Sequence, residues 1–99
     1  MDKTKDTKPF DLEERTRQFA QDVIEFTNVA PKTLANIETL KQLVRASGSV
    51  GANYIEARES LSKKDFVMRM KICRKEAKES RYWLSLIQTQ NDVMEKRRS

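Results

Sequence analysis

The sequence predicts an all-α protein, a small bundle of long amphipathic helices. Two observations support this fold class. The 99 residues include only two glycines and two prolines, with 37% hydrophobic and 35% charged residues, a balance typical of helical proteins. Apolar residues also recur at intervals of three and four along most of the chain, which is the period of a helix with one buried face.

The chain is long enough for one domain. We expect a disordered lead over residues 1–10, a single helical bundle domain over residues 11–90 and a basic C-terminal tail over residues 91–99. A chain of this size buries only about 60–65% of its unfolded surface, so regular helix packing or oligomerisation is expected to support its stability. The sequence contains neither an apolar run long enough to span a membrane nor the apolar core of a secretion signal, which predicts a cytoplasmic protein.

The first helix is predicted to begin at Asp11, whose carboxylate can cap free backbone N–H groups, and to end near Asn28 because Pro31 follows. Its apolar face is formed by Leu12, Phe19, Val23 and Phe26.

The second helix is predicted from about Lys32 to about Glu59, with two adjacent apolar stripes. One stripe consists of Leu40, Leu43, Ser47, Val50 and Tyr54, and the other of Ile37, Val44, Gly48, Gly51 and Ile55. Both stripes narrow to small residues at Ser47, Gly48 and Gly51, which predicts that another helix packs closely there. The alternative is that the helix breaks into two at a loop containing the glycines.

The third helix is predicted to begin after Ser62, which can cap its first turn, with Asp65 at the third helical position. A seam with heptad spacing follows, formed by Phe66, Met70, Cys73, Ala77, Ser80, Leu84 and Ile87. A second apolar flank lies beside this seam, and we expect it to form an oligomer interface through Met68, Ile72, Trp83 and Leu86.

The side of the third helix opposite the seam is basic. The chain carries a formal net charge of +5, and much of the excess falls on this side, on Lys64, Lys71, Lys75 and Lys78, with Arg74 and Arg81 along its border. Such a row can neutralise phosphates, so it is a candidate nucleic-acid-binding surface. The alternative is a solvated helix face that only keeps the protein soluble.

Catalysis has no evident site in this sequence. There is no histidine, the lone Cys73 falls within the apolar seam, and no glycine-rich phosphate loop is present. We therefore predict that the protein is not an enzyme and uses neither a cofactor nor a metal ion; a metal protein or enzyme is the weakest of the alternatives.

Two stretches of the sequence, "SVGANYIEA" and "KEAKESRYWL", carry a resemblance to a known family. Residues 45–87 resemble the four-helix-bundle proteins encoded within intervening sequences of bacterial 23S rRNA genes, a family related to the accessory variability proteins of diversity-generating retroelements. In this resemblance Asn53 and Glu56 match a polar pair of the second helix, and Glu76 and Glu79 match acidic positions of the third.

The resemblance implies an antiparallel up-down bundle of the four-helix type that assembles into a ring-like homopentamer with a basic surface. The fourth helix is expected to be short or missing here. Accessory relatives bind a reverse transcriptase and nucleic acid, so RNA, DNA or such an enzyme is the expected partner. We thus expect a non-catalytic oligomeric scaffold with a basic surface. The alternative is a purely structural protein–protein interaction module that does not bind nucleic acid.

Overall fold

The computed structural model describes residues 9–89, which form three α-helices and no strand. The helices are α1 (Pro9–Val29), α2 (Leu34–Arg58) and α3 (Lys63–Leu86). The all-α prediction is confirmed for this part of the chain. Most of the predicted lead and the whole predicted basic tail lie outside the described residues.

The helix boundaries follow local capping rules. The prediction that α1 starts at Asp11 was wrong by two residues, because Pro9 is accommodated in the first turn, where its missing N–H has no helical partner. Thr33 caps α2, its Oγ1 accepting a hydrogen bond from the backbone N–H of Asn36 at 3.1 Å. Ser62 caps α3 as predicted, its Oγ accepting from the N–H of Asp65 at 3.1 Å.

The second helix is continuous through Gly48 and Gly51, which excludes the predicted alternative of a break at the glycines. Neither glycine has a positive φ. A Cβ added to Gly51 would lie 3.1 Å from Thr16 Oγ1, so Gly51 permits the close approach of α1. A Cβ added to Gly48 would have no neighbouring heavy atom within 4 Å, so the predicted close packing at Gly48 is not found within the single chain.

The second helix is the centre of the fold. It packs against both α1 and α3, whereas α1 and α3 do not pack against each other within the described residues. The buried residues of α2 include its first predicted stripe and repeat at intervals of four and three: Asn36, Leu40, Leu43, Ser47, Val50, Tyr54 and Ala57. The large residues of the second predicted stripe, Ile37, Val44 and Ile55, are exposed by more than a third.

The third helix buries part of the seam predicted for it and leaves part of it exposed. Cys73, Ser80 and Ile87 of that seam are buried, but Phe66 and Leu84 are 42% and 44% exposed, and Glu76 is buried instead. The buried line is rotated toward Glu76 because α3 packs only on α2 within the described chain. The flank containing Phe66 would have needed a further helix to cover it.

A cluster of apolar side chains joins all three helical segments at one end of the fold. Its buried members are Val23, Ala30, Leu40, Leu43 and Ile87, with Phe26 and Trp83 packed against them. Within this end of the molecule, the buried Asn36 side chain binds the segment that follows α3. Its Nδ2 donates to Gln88 O at 2.8 Å and to Pro31 O at 2.9 Å, and its Oδ1 accepts from Gln88 N at 3.0 Å.

A groove of about 560 Å³ separates α1 from α3. It is lined mainly by apolar side chains, among them Leu12, Val50, Tyr54, Phe66, Met70 and Ala77. In a four-helix bundle with helices at the corners of a square, two helices that flank a common neighbour are diagonal to each other and do not touch. The observed arrangement is compatible with such a bundle in which the fourth corner is not filled by residues 9–89.

Candidate nucleic-acid interface

The charges of the three helices are unevenly divided. The α3 segment contains eight Lys or Arg and three Asp or Glu, whereas the α1 segment contains five acidic and two basic residues. Because α1 does not pack against α3, its carboxylates do not pair with the lysines of α3 in the described chain. The basic surface of α3 therefore stays unneutralised by the acidic helix.

The carboxylates of α3 itself are drawn toward α2. Glu79 Oε1 lies 3.3 Å from Arg45 Nη2, and Glu76 Oε1 lies 3.6 Å from the same nitrogen. The Glu76 side chain is only 8% exposed and its Oε1 accepts no hydrogen bond in the described structure. Both predicted acidic positions thus lie at the α2–α3 contact, where Arg45 lies near their carboxylates.

All six predicted cationic residues are exposed on α3: Lys64, Lys71, Arg74, Lys75, Lys78 and Arg81. In the described part of the chain, one of them lies near a carboxylate, with Lys75 Nζ 4.0 Å from Glu76 Oε2. From Lys64 to Arg81 the row extends about 25 Å along the helix axis, at the usual rise per residue. The row can therefore contact several successive phosphates of an extended nucleic acid strand.

The residues of the predicted oligomer flank differ in their exposure. Met68 and Leu86 are exposed by 48% and 46%, and Ile72 is partly buried. Trp83 instead packs against the apolar cluster at the end of the fold, where its Nε1 is buried without a hydrogen-bond partner among the described residues. Trp83 therefore belongs mainly to the core, because its position on α3 is close to the buried line rather than to the flank.

Asn53 and Glu56, the polar pair of α2, have different surroundings. Asn53 Oδ1 accepts a hydrogen bond from Arg69 Nη1 at 3.1 Å, which links α2 to α3. Its Nδ2 donates to Ser49 O at 2.9 Å and to Ser49 Oγ at 3.0 Å. Glu56 is exposed on the surface of α2. Arg69 is thus held at the α2–α3 contact and does not join the outer row of cations.

The buried Cys73 contacts the backbone of α2. Its Sγ donates to Val50 O at 3.4 Å, and burial raises the pKa of the thiol above its ordinary value. A raised pKa keeps the sulfur protonated at neutral pH, which makes it a poor nucleophile. Across residues 9–89 the His, Cys, Asp and Glu residues form no group of three or more that could hold a metal ion. None of the described helices is both long and apolar enough to cross a membrane.

One residue of the outer face was not among the predicted site residues. Tyr82 is 58% exposed and lies with Lys78, Arg81 and Ser85 around a surface cleft of about 410 Å³. Its ring meets that of Trp83 edge to face, with centroids 5.1 Å apart. At about 100° per residue, Tyr82 falls on the lysine side of the helical wheel, so this placement could have been predicted from the sequence alone.

The sequence profile of a family described as 23S rRNA-intervening sequence protein matches residues 8–98. The chain belongs to this family. The match covers all three helices, including the basic row and the groove between α1 and α3. Neither a comparison with curated proteins nor one with solved structures gives a significant match. The family assignment therefore agrees with the resemblance that "SVGANYIEA" and "KEAKESRYWL" carry.

Proposed function

We propose that this member of the 23S rRNA-intervening sequence protein family is a non-catalytic, cytoplasmic, oligomeric scaffold that binds nucleic acid through the outer face of α3. The observation that carries the proposal is the separation of charge on that helix. Its cations are exposed in one row, while Glu76 and Glu79 face Arg45 of α2. A phosphate backbone approaching the row meets six exposed cations, of which one, Lys75, lies within ion-pair distance of a carboxylate among the described residues.

Binding of this kind contacts phosphates and not base edges. Its affinity should therefore depend little on nucleotide sequence and should fall steeply as the salt concentration rises. Repetition of the row in a symmetric oligomer would multiply the attraction. We propose a homo-oligomer whose interface includes the exposed Met68 and Leu86. A ring-like pentamer of four-helix bundles, and a reverse transcriptase as a protein partner, are the finer forms of the proposal that follow from the resemblance to retroelement accessory proteins.

The binding test compares two variants that each remove two positive charges. Lys71→Gln/Lys78→Gln removes cations from the α3 row, whereas Arg15→Gln/Lys41→Gln removes exposed cations from α1 and α2. Anisotropy titrations with labelled RNA and DNA at several salt concentrations measure affinity and its salt dependence. The α3 variant should bind more weakly, and its salt slope should fall by roughly 0.7–0.9 for each phosphate that is no longer neutralised. The control should bind nearly as the unmodified protein does.

Equal effects of the two variants would mean that net charge, and not the α3 row, drives binding. Failure of the unmodified oligomer to bind either nucleic acid at low salt would contradict the proposal. It would favour the second candidate function, a protein–protein interaction module. That alternative has its own support in the apolar groove between α1 and α3 and in the exposed Ile37, Val44 and Ile55 of α2.

Oligomerisation is tested separately by light scattering. The unmodified protein should give a mass several times 11.6 kDa, and Met68→Glu/Leu86→Glu should lower it. Leu34→Glu/Leu61→Glu is the matched control, because both leucines are more than 80% exposed and lie outside the predicted flank. Trp83 is unsuitable for this test, since a charge at that position would also disturb the core. A monodisperse monomer at micromolar concentration would remove the oligomer from the proposal.

A further inference from the structure

Tyr82 is an aromatic side chain on the basic side of α3. The cleft beside it is lined by Lys78, Arg81, Tyr82 and Ser85, so an exposed ring, two cations and a hydroxyl meet within about two helical turns. Resting on the proposed nucleic-acid binding, we propose that this cleft takes an unpaired nucleotide. Its base stacks on the Tyr82 ring, and the adjoining phosphates lie against Lys78 and Arg81.

The Tyr82 ring is connected to the core through Trp83. Tyr82 packs edge to face against Trp83, and Trp83 in turn packs on the apolar cluster that joins the three helical segments. The hydroxyl of Ser85 donates to the carbonyl oxygen of Tyr82 at 2.6 Å, so it is engaged with the helix backbone. A ring supported in this way keeps one face available to a ligand with little loss of side-chain entropy on binding.

The electrostatic surroundings of the ring favour an anionic ligand. Neither Lys78 nor Arg81 forms an ion pair within the described structure. The neighbouring Glu79 is engaged by Arg45 on the α2 side. Single exposed aromatic residues are common on protein surfaces, but this one lies between unneutralised cations. Aromatic rings combined with a cationic track are the usual elements of single-strand binding surfaces.

Stacking on Tyr82 also determines which form of nucleic acid fits. In a duplex the faces of the bases are covered by their neighbours, and a ring on a convex helix surface cannot reach them. The phosphates of a duplex can still meet the lysine row. Stacking on Tyr82 therefore adds affinity for single-stranded or looped segments and none for continuous duplex.

The experiment compares Tyr82→Leu with Tyr82→Phe in the full chain. Leucine still covers Trp83 but has no aromatic face, whereas phenylalanine keeps the face and removes only the hydroxyl. The probes are labelled oligothymidylate, labelled oligouridylate and a blunt DNA duplex with a similar number of phosphates, titrated by anisotropy. Far-UV circular dichroism and light scattering show that fold and assembly are unchanged.

Tyr82→Leu is expected to weaken binding of both single-stranded probes by about tenfold, the loss typical of one stacked base. Its duplex affinity and its salt slopes should stay unchanged, and Tyr82→Phe should bind as the unmodified protein does. Equal single-strand affinity for Tyr82→Leu and the unmodified protein would overturn this inference while leaving the lysine row intact. Absence of binding to all three probes by the unmodified protein would instead overturn the proposed function.

Discussion

The contact between α2 and α3 differs in composition and extent from the contact between α1 and α2. Small or polar side chains are the ones that α3 buries against α2, namely Cys73, Glu76 and Ser80. Arg69 of α3 donates a hydrogen bond across the same contact to Asn53 of α2. Small side chains let the two helix backbones lie close together, and α2 packs more extensively against α3 than against α1.

The α1–α2 contact is the less extensive of the two. At one end Val23 and Ala30 join the apolar cluster, and at the other Thr16 approaches Gly51 and Glu13 pairs with Arg58. The apolar side chains Leu12, Phe19 and Ile24 remain exposed by more than a third, because no element of the described chain covers them. Local stability should follow buried contact, so α1 is expected to open more readily than the α2–α3 pair.

Truncating a side chain that both contacts share should destabilise the protein most. Leu43 is almost completely buried in the cluster where the three helical segments meet. Leu43→Ala is expected to lower the free energy of unfolding by about 2–5 kcal/mol, through reduced apolar burial and a residual cavity. Urea unfolding followed by circular dichroism measures the change. Leu61→Ala, at a fully exposed position, is the control and should change stability by less than about 0.5 kcal/mol.

Asn36 tests the polar link between the segment after α3 and the start of α2. Asn36→Ala removes the partners of Gln88 N and O and of Pro31 O, which should cost about 1–3 kcal/mol of unfolding free energy. Asn28→Ala is a matched change at an exposed position near the end of α1. If both variants unfolded at the same urea concentration, the Asn36 hydrogen bonds would contribute nothing to stability.

The two glycines of α2 report on how closely α1 approaches, because only Gly51 lies against it. Gly48→Ala should raise the free energy of unfolding by about 0.8–1 kcal/mol, since alanine has the higher helix propensity and its Cβ meets nothing within 4 Å. Gly51→Ala should gain less, because its Cβ must displace the Thr16 hydroxyl, which also donates to Glu13 O at 2.9 Å. Equal gains in thermal or urea unfolding would mean that α1 does not approach Gly51 closely.

The weakest response is expected at the ion pair that holds the start of α1. Arg58 Nη1 lies 2.6 Å from Glu13 Oε1, and both side chains are more than a third exposed. Arg58→Gln should therefore cost between about 0 and 1 kcal/mol at low salt and less at high salt. Hydrogen exchange should show the difference mainly in α1. Faster exchange in α3 than in α1 would contradict the weaker attachment of α1.

Some of these features were predictable because they are local in sequence. The four-and-three spacing from Leu40 to Tyr54 correctly predicted the buried stripe of α2, and Ser62 followed by Asp65 predicted the cap of α3. The positions of the lysines on the outer side of α3 also follow from helical geometry alone. Each of these inferences needs only one helix and its period.

The buried line of α3 could not be derived in the same way. Both flanks of this helix are apolar, and Phe66 and Leu84 share the heptad spacing of Cys73 and Ile87. Which flank is covered depends on where α1 lies, and α1 does not pack against α3 in the described fold. Exposure of Phe66 and burial of Glu76 are consequences of that arrangement.

Three features could be predicted from the sequence alone, because each depends on residues a few positions apart. They are the helical class, the interruptions near Pro31 and Ser62, and the row of cations on one side of α3. Helix packing was needed to bring Arg45 to Glu79, 34 residues away, and Asn36 to Gln88, 52 residues away. Packing also made Trp83, the neighbour of Tyr82 on α3, part of the core. The Arg45–Glu79 and Asn36–Gln88 pairs join segments far apart in the sequence, and the period of a single helix carries no information about its neighbours.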